Sequence, residues 1–258
     1  MTRKKSDKKF ETKHKAKPNT SGTVTITLSA KSLMTFIDAI ASLHNEARIY
    51  VTENGIKVFM VDPGNVAMLC ASLECKIQQG KKPLEMFGLN TLHIKKLLLY
   101  SKGHTVTLSV SDTDIALSYG RFSGKCCVED MTYFRKDPNK EPDMILNAHF
   151  DMPGSYLYET SSIFGKNGKV VFETDDKVIY LKTECGDIEF REVVGTISDK
   201  KKEQIHSIFS GDYIAGIAKI VKDSPIHVDV GIDHPIVITT EKDDCSIRFL
   251  LAPRIESD

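Results

Sequence analysis

The 258-residue chain has no C-x-x-C pair, no apolar run of membrane length and no net charge. Each absence excludes something. A structural zinc site draws its ligands from two cysteine knuckles or from matched histidine pairs. The six cysteines, Cys70, Cys75, Cys126, Cys127, Cys185 and Cys245, offer no such spacing, and Cys126 and Cys127 are adjacent. They read as free thiols of a reducing compartment, and no metal or cofactor is expected. The apolar runs are strand-sized, far short of the roughly 18 residues of a membrane span. The basic N-terminus lacks the apolar segment that a secretory signal places behind it.

The signatures of catalysis are missing too. There is no G-x-S-x-G and no H-E-x-x-H. "GKNGK" at 165–169 lacks the spacing and the Ser/Thr of a phosphate-binding loop. Paired carboxylates do occur, at Asp112/Asp114, Asp175/Asp176 and Asp243/Asp244. All sit at hairpin turns, where Asp is favoured for backbone reasons. The eight histidines are scattered. Nothing assembles a nucleophile, a base and an oxyanion donor, so an enzyme is not expected.

What is there is a globular composition with divided charge. Hydrophobic residues make up 41% of the chain, enough for a sizeable core in one large domain or two ordinary ones. Residues 1–17 carry eight Lys/Arg against Asp7 and Glu11, which leaves 27 basic and 33 acidic residues in the body. An acidic body therefore carries a basic arm, residues 1–20, too poor in apolar residues to fold by itself.

The body shows one arrangement four times. An amphipathic helix is followed by two alternating strands around a polar turn. In the first copy Leu33, Phe36, Ile37, Ile40 and Leu43 mark one helical face, and Glu53-Asn54-Gly55 makes the turn. The other turns fall at Asp112-Thr113-Asp114, at Asp175-Asp176 and near Asp233. The period is about sixty residues, long for a solenoid unit. It predicts an α+β fold of two similar domains, each with two helices packed on antiparallel β-sheet. The stretch "VEDMTYFRKDPNKEPDM" breaks the alternation with two prolines and a run of charges. It reads as a connecting loop, 128–143, between an N-terminal domain, 21–127, and a C-terminal one, 144–258.

Three stretches go beyond pattern: "NEARIYVTENGIKVFMVDPGNVAMLCASL" (45–73), "LNTLHIKKLLLYSKG" (89–103) and "HPIVITTEKDDCSIRFLLAPRIE" (234–256). In this order they resemble the proliferating cell nuclear antigen (PCNA) family of sliding clamps, archaeal and eukaryotic. The likeness spans residues 23–256, and "VDPGNVAM" and "LAPRIE" are its most specific parts. It implies the DNA-clamp fold: a ring of three subunits, helices lining a hole that holds duplex DNA, and sheets joined across the subunit boundaries.

A clamp must hold DNA without reading it, and mobile lysines suit sequence-independent phosphate contacts. Lys96 and Lys219 fall where the family places basic inner-face residues, with Lys95, Lys102 and Lys222 as further candidates. The first helix departs from the family at Met34, Thr35 and Ala41, and the third, "GSYLYETSSIF", has no cation and carries Glu159. Paralogous subunits or the basic arm are the two available sources of the missing charge.

Family partners insert a short peptide, the PIP box, into a pocket beside the connecting loop. The matching wall here is Val61, Val66 and Met68, then Met131, Tyr133 and Phe134 of the loop, then Pro235, Leu251, Ala252, Pro253 and Ile255. The exit segment from Leu251 onward is expected to form an exposed ledge that also offers its backbone to the peptide. For the subunit joint, positions point to the edges 118–127, with Arg121 and Lys125, and 186–194, with Asp187, Glu189 and Glu192. Opposite charges would set their register.

The resemblance thus implies a DNA polymerase processivity factor that encircles duplex DNA. It would tether polymerase, clamp loader, flap endonuclease and ligase through PIP boxes, without a cofactor or a membrane, in a ring of itself or of paralogues. The alternative is a paralogue with a checkpoint or transcription-linked duty, or one subunit of a heterotrimer. Location follows source: cytoplasmic in an archaeon, nuclear or in a viral factory otherwise.

Overall fold

A computed structural model describes residues 22–138, 140–144, 146, 148–164, 168–175, 177–185, 188–196 and 205–254. The basic arm lies outside them, as do Asp187 and Ile255. The four-fold pattern emerges as four strand–helix–strands units. The first runs β1 (Thr23–Ser29), α1 (Ala30–Ala41), β2 (Glu46–Val51), β3 (Gly55–Val61), β4 (Ala67–Glu74) and a short β5 (Lys76–Gln79). The second is β6 (Met86–Asn90), α2 (Thr91–Leu97), β7 (Thr105–Ser111), β8 (Asp114–Tyr119) and β9 (Phe122–Cys127). After the connecting loop come β10 (Ala148–Pro153), α3 (Gly154–Phe164), β11 (Lys169–Asp175), β12 (Val178–Cys185) and β13 (Ile188–Thr196). The last unit is β14 (His206–Ser210), α4 (Gly211–Val221), β15 (Pro225–Val230), β16 (Ile236–Lys242) and β17 (Cys245–Leu251).

Local chemistry explains the helix starts. Ser29 Oγ accepts from the Ser32 N–H at 3.0 Å and Asn90 Oδ1 from Leu92 N–H at 3.0 Å, each satisfying a first-turn donor. Leu33, Phe36, Ile37 and Ile40 of α1 are buried, and the helices lie side by side in the order α2, α1, α4, α3.

Among the described residues the strands form three antiparallel sheets. One has the order β5-β1-β7-β8-β9, one β13-β12-β11-β14, and a long one β10-β15-β16-β17-β4-β3-β2-β6. The long sheet crosses from one half of the chain to the other where β17 pairs with β4, from Cys245 opposite Leu73 to Leu251 opposite Ala67. The halves are thus fused through backbone as well as tethered by a loop. A second weld comes from the β16–β17 turn. Asp243 and Asp244 adopt positive φ there, 52° and 62°. Ser32 donates to Asp244 at 2.9 Å and Thr35 to Asp243 at 2.8 Å, while Lys31 pairs with Asp243 at 2.6 Å. These turn carboxylates therefore dock α1.

The final strand runs one residue further than expected. Leu251 continues the ladder opposite Ile236 and is 1% exposed. Its side chain belongs to the core, so it is unavailable to a partner, and the expected ledge begins at Ala252.

Candidate functional site

The "VDPGNVAM" stretch builds a junction around one carboxylate. Asp62 lies between β3 and β4 and is 2% exposed. Its Oδ1 accepts from the N–H groups of Val66 and Ala67, both at 2.7 Å. Its Oδ2 accepts from Gly64 N–H at 2.9 Å and from the Tyr213 hydroxyl of α4 at 2.6 Å. Burial alone would raise its pKa. The Ala67 N–H, the Tyr213 hydroxyl and the Gly64 and Val66 N–H groups outweigh it and hold the carboxyl below its ordinary range. Burial and that same bond push Tyr213 up to about 12.

Two other segments converge on this turn. The connecting loop reaches it through Arg135, which donates to the Asp62 carbonyl at 3.2 Å and to Asn65 Oδ1. The exit segment reaches it through Ala252, whose N–H donates to the Val66 carbonyl at 2.8 Å. The Arg254 N–H donates to the Ile208 carbonyl of β14 at 2.7 Å. With Pro253 lacking an N–H, the described ledge has no donor left for an incoming strand. Only its carbonyls are available, which narrows the expected backbone role.

The loop is strapped across the sheet. Asp137 accepts from Arg48 at 2.7 Å and from the Tyr50 hydroxyl. Glu141 pairs with Arg248 of β17 at 3.2 Å. Beneath the strap lie two adjoining depressions that share Val61. The larger, about 330 Å³, has Val61, Tyr133 and Phe134 in its wall together with His44, Arg48 and Pro63. The smaller, about 110 Å³, has Val61, Val66, Met68, Pro235, Ala252 and Leu250. Tyr133 is 88% exposed and Phe134 half-buried. Met131 packs over Gly88 of β6, beside the groove and outside its lining. Pro253 is half-buried beyond the rim. His44, Arg48 and Leu250 carry no local signal in the sequence, because helix-end and strand residues 200 positions apart meet only in the fold.

On the helix layer, Lys96 and Lys219 are exposed, and neither makes an ion pair among the described residues. Lys102 is exposed just after α2. Lys95 is committed to Asp38 of α1 at 2.7 Å, and Lys222 lies 5.3 Å from the Tyr158 ring centroid. Of the five candidates, those left open to phosphate are therefore on or beside α2 and on α4. α3 presents Tyr158, Glu159, Ser162 and Ile163 to solvent, and Glu192 of β13 is pushed up by burial and then by Glu159.

The edges β9 and β13 each end a sheet. Arg121 is exposed, Lys125 lies 3.7 Å from Asp114 and Glu189 pairs with Lys182 at 3.1 Å. The charge pattern of the sequence points to these residues and gives no sign of their apolar neighbours. Phe122 on β9 is 41% exposed, and Phe190 and Val193 on β13 are 36% and 55% exposed.

The fold matches that of known clamps. A protein named DNA polymerase sliding clamp from Methanothrix thermoacetophila is 28% identical over 242 residues, covering 90% of this chain and 98% of its own. One of the same name from Methanosphaerula palustris is 27% identical over 244 residues with the same coverage. The chain is thus similar over nine-tenths of its length to the sliding clamps of the PCNA family. No protein-family model matches this clamp. Among solved structures, A. fulgidus PCNA bound to the C-terminal region of FEN-1 superposes with a TM-score of 0.79 at 21% identity, over 91% of this chain and all of that one. PCNA from Thermococcus kodakaraensis gives 0.75 at 17% identity over 90% of this chain and all of that one.

Proposed function

We propose that this clamp is a DNA polymerase processivity factor whose copies close into a ring around duplex DNA. One observation carries the reading. The chain already contains one joint of the ring, where β17 pairs with β4. In the four-unit order, β9 ends the second unit as β17 ends the fourth, and β13 closes the third as β4 follows β3 in the first. The free edges β9 and β13 are thus counterparts of the two strands that pair inside the chain. Pairing β9 of one copy with β13 of the next repeats the internal joint and covers Phe122, Phe190 and Val193. Three copies of a two-domain chain, 21–127 and 144–258 linked by 128–143, then give six equivalent joints.

The hole of that ring is lined by the helix layer, with Lys96, Lys219 and Lys102 facing phosphate. The groove under the connecting loop takes an apolar peptide plug from polymerase, clamp loader, flap endonuclease or ligase. Val, Met and aromatic walls suit such a plug. The clamp itself performs no chemistry and resides wherever the replicating DNA is. The decisive experiment is polymerase extension on primed DNA with a clamp loader: longer products with the clamp support the reading, and unchanged products overturn it. The cation-poor faces of α1 and α3 favour one second reading, a ring shared with paralogues. Solution mass of the chain alone and co-expressed with its paralogues separates the two.

A further inference from the structure

β10 is an edge strand of the long sheet, antiparallel to β15. The register sets His149 opposite Asp229 and Asp151 opposite His227. The two-residue spacing on both strands puts all four side chains on one face. It is the face turned away from Phe150 and Met152, which are core residues. His149 Nδ1 lies 2.6 Å from Asp229 Oδ1, and His227 Nε2 lies 3.0 Å from the same oxygen. The donor atoms of these three residues are all within 4.8 Å of one another. Both imidazoles are open to solvent, while the Asp229 side chain is 12% exposed. Asp151 holds the other ring nitrogen of His227, Nδ1, at 2.7 Å.

We propose that His149, Asp229 and His227 form a site for a divalent transition ion of the zinc type, with Asp151 as a positioning residue. Two imidazoles and a carboxylate suit zinc and its neighbours, whereas magnesium and calcium call for all-oxygen shells. Bonds of about 2.0–2.1 Å place tetrahedral ligand atoms about 3.3 Å apart. The observed 2.6 and 3.0 Å separations need to open by only tenths of an ångström, within reach of small side-chain rotations. Asp151 does what outer carboxylates do at histidine-ligated metals: it fixes the ring and leaves Nε2 to face the ion. Three protein ligands leave a fourth position for water. The bound ion would tie the edge strand that opens the C-terminal half to its neighbour β15. Sequence spacing hides this site, because the two histidines are 78 positions apart and only the strand register joins them.

Titrating the full chain with Co²⁺ and following its visible ligand-field absorption tests this. The expected result is saturation at one ion per chain, reversed by Zn²⁺. A His149→Ala/His227→Ala double variant should lose that signal, and Asp151→Ala should weaken binding about tenfold or more. The replaced side chains are solvent-facing, so circular dichroism should match wild type. Zn²⁺ should raise the melting temperature of the wild type and not of the double variant. No cobalt signal in the wild type, or the same signal in the double variant, overturns the site. Unchanged affinity in Asp151→Ala overturns its positioning role.

Discussion

Asp62 shows how much a single side chain can organise here. It accepts four hydrogen bonds, and a neutral Asn in its place would leave buried donors short of an acceptor. Asp62→Asn should cost at least about 1–3 kcal/mol in denaturant unfolding. The sign with pH follows from its depressed folded pKa. Its contribution is fully present above the ordinary value of 3.8 and is lost as pH falls through the lower folded value. The stability gap between wild type and Asp62→Asn should therefore narrow below about pH 4. A gap that stays constant there removes Asp62 from the acid limb. Phe134 tests the groove. It sits in the loop, so Phe134→Ala should leave the unfolding midpoint nearly unmoved yet weaken binding of a PIP-box peptide about tenfold or more. Equal affinity for both forms would place the plug elsewhere. Cys70 and Cys75, by contrast, are inert by position: burial and then Glu141 push Cys70 up to about 12, and burial pushes Cys75 up to about 11.

At the scale of elements, the informative strands are the unpaired ones. An exposed sheet edge invites pairing, and a protein that avoids it blunts the edge with charge or proline. β9 and β13 carry charge, but part of it is spent on their own sheets, and each keeps apolar residues in the open. That combination fits an edge meant to be covered. Val193→Glu, at a position 55% exposed, should fold normally and move the protein from trimer to monomer in light scattering. Reversing Arg121 and Lys125 to Glu should act in the same direction. Unchanged mass in both variants would refute β9–β13 pairing. Helix and hairpin positions are legible in the sequence, since period and turn residues carry them. The burial of Leu250 is not. Leu251 keeps the buried phase of Cys245, Ile247 and Phe249, whereas Leu250 on the other face is buried where Pro142 of the connecting loop and Ala252 of the exit segment meet it.

For the whole molecule, the question is how a neutral chain holds a polyanion. Among the lysines named for DNA contact, the unpaired ones sit on or beside α2 and on α4, and the basic arm adds eight Lys/Arg within residues 1–17. Removing one lysine–phosphate interaction should reduce the salt slope of duplex binding by about one. Lys96→Ala and Lys219→Ala should each flatten that slope, and deleting residues 1–17 should flatten it further. A slope unchanged by the deletion would assign the arm to another task.

Sequence alone determined the elements, the four-fold repeat and the family likeness. Periodicity, turn chemistry and short motifs are local properties of a chain. Tertiary structure alone decided what those elements share. It welded the halves through β17 and β4, drew the connecting loop and the exit segment to the Asp62 turn, and covered Leu250 on the outer face of β17. It also gathered His149, His227 and Asp229 on one strand pair. Strand register and sheet order set these meetings, and both depend on pairing between residues far apart in the chain.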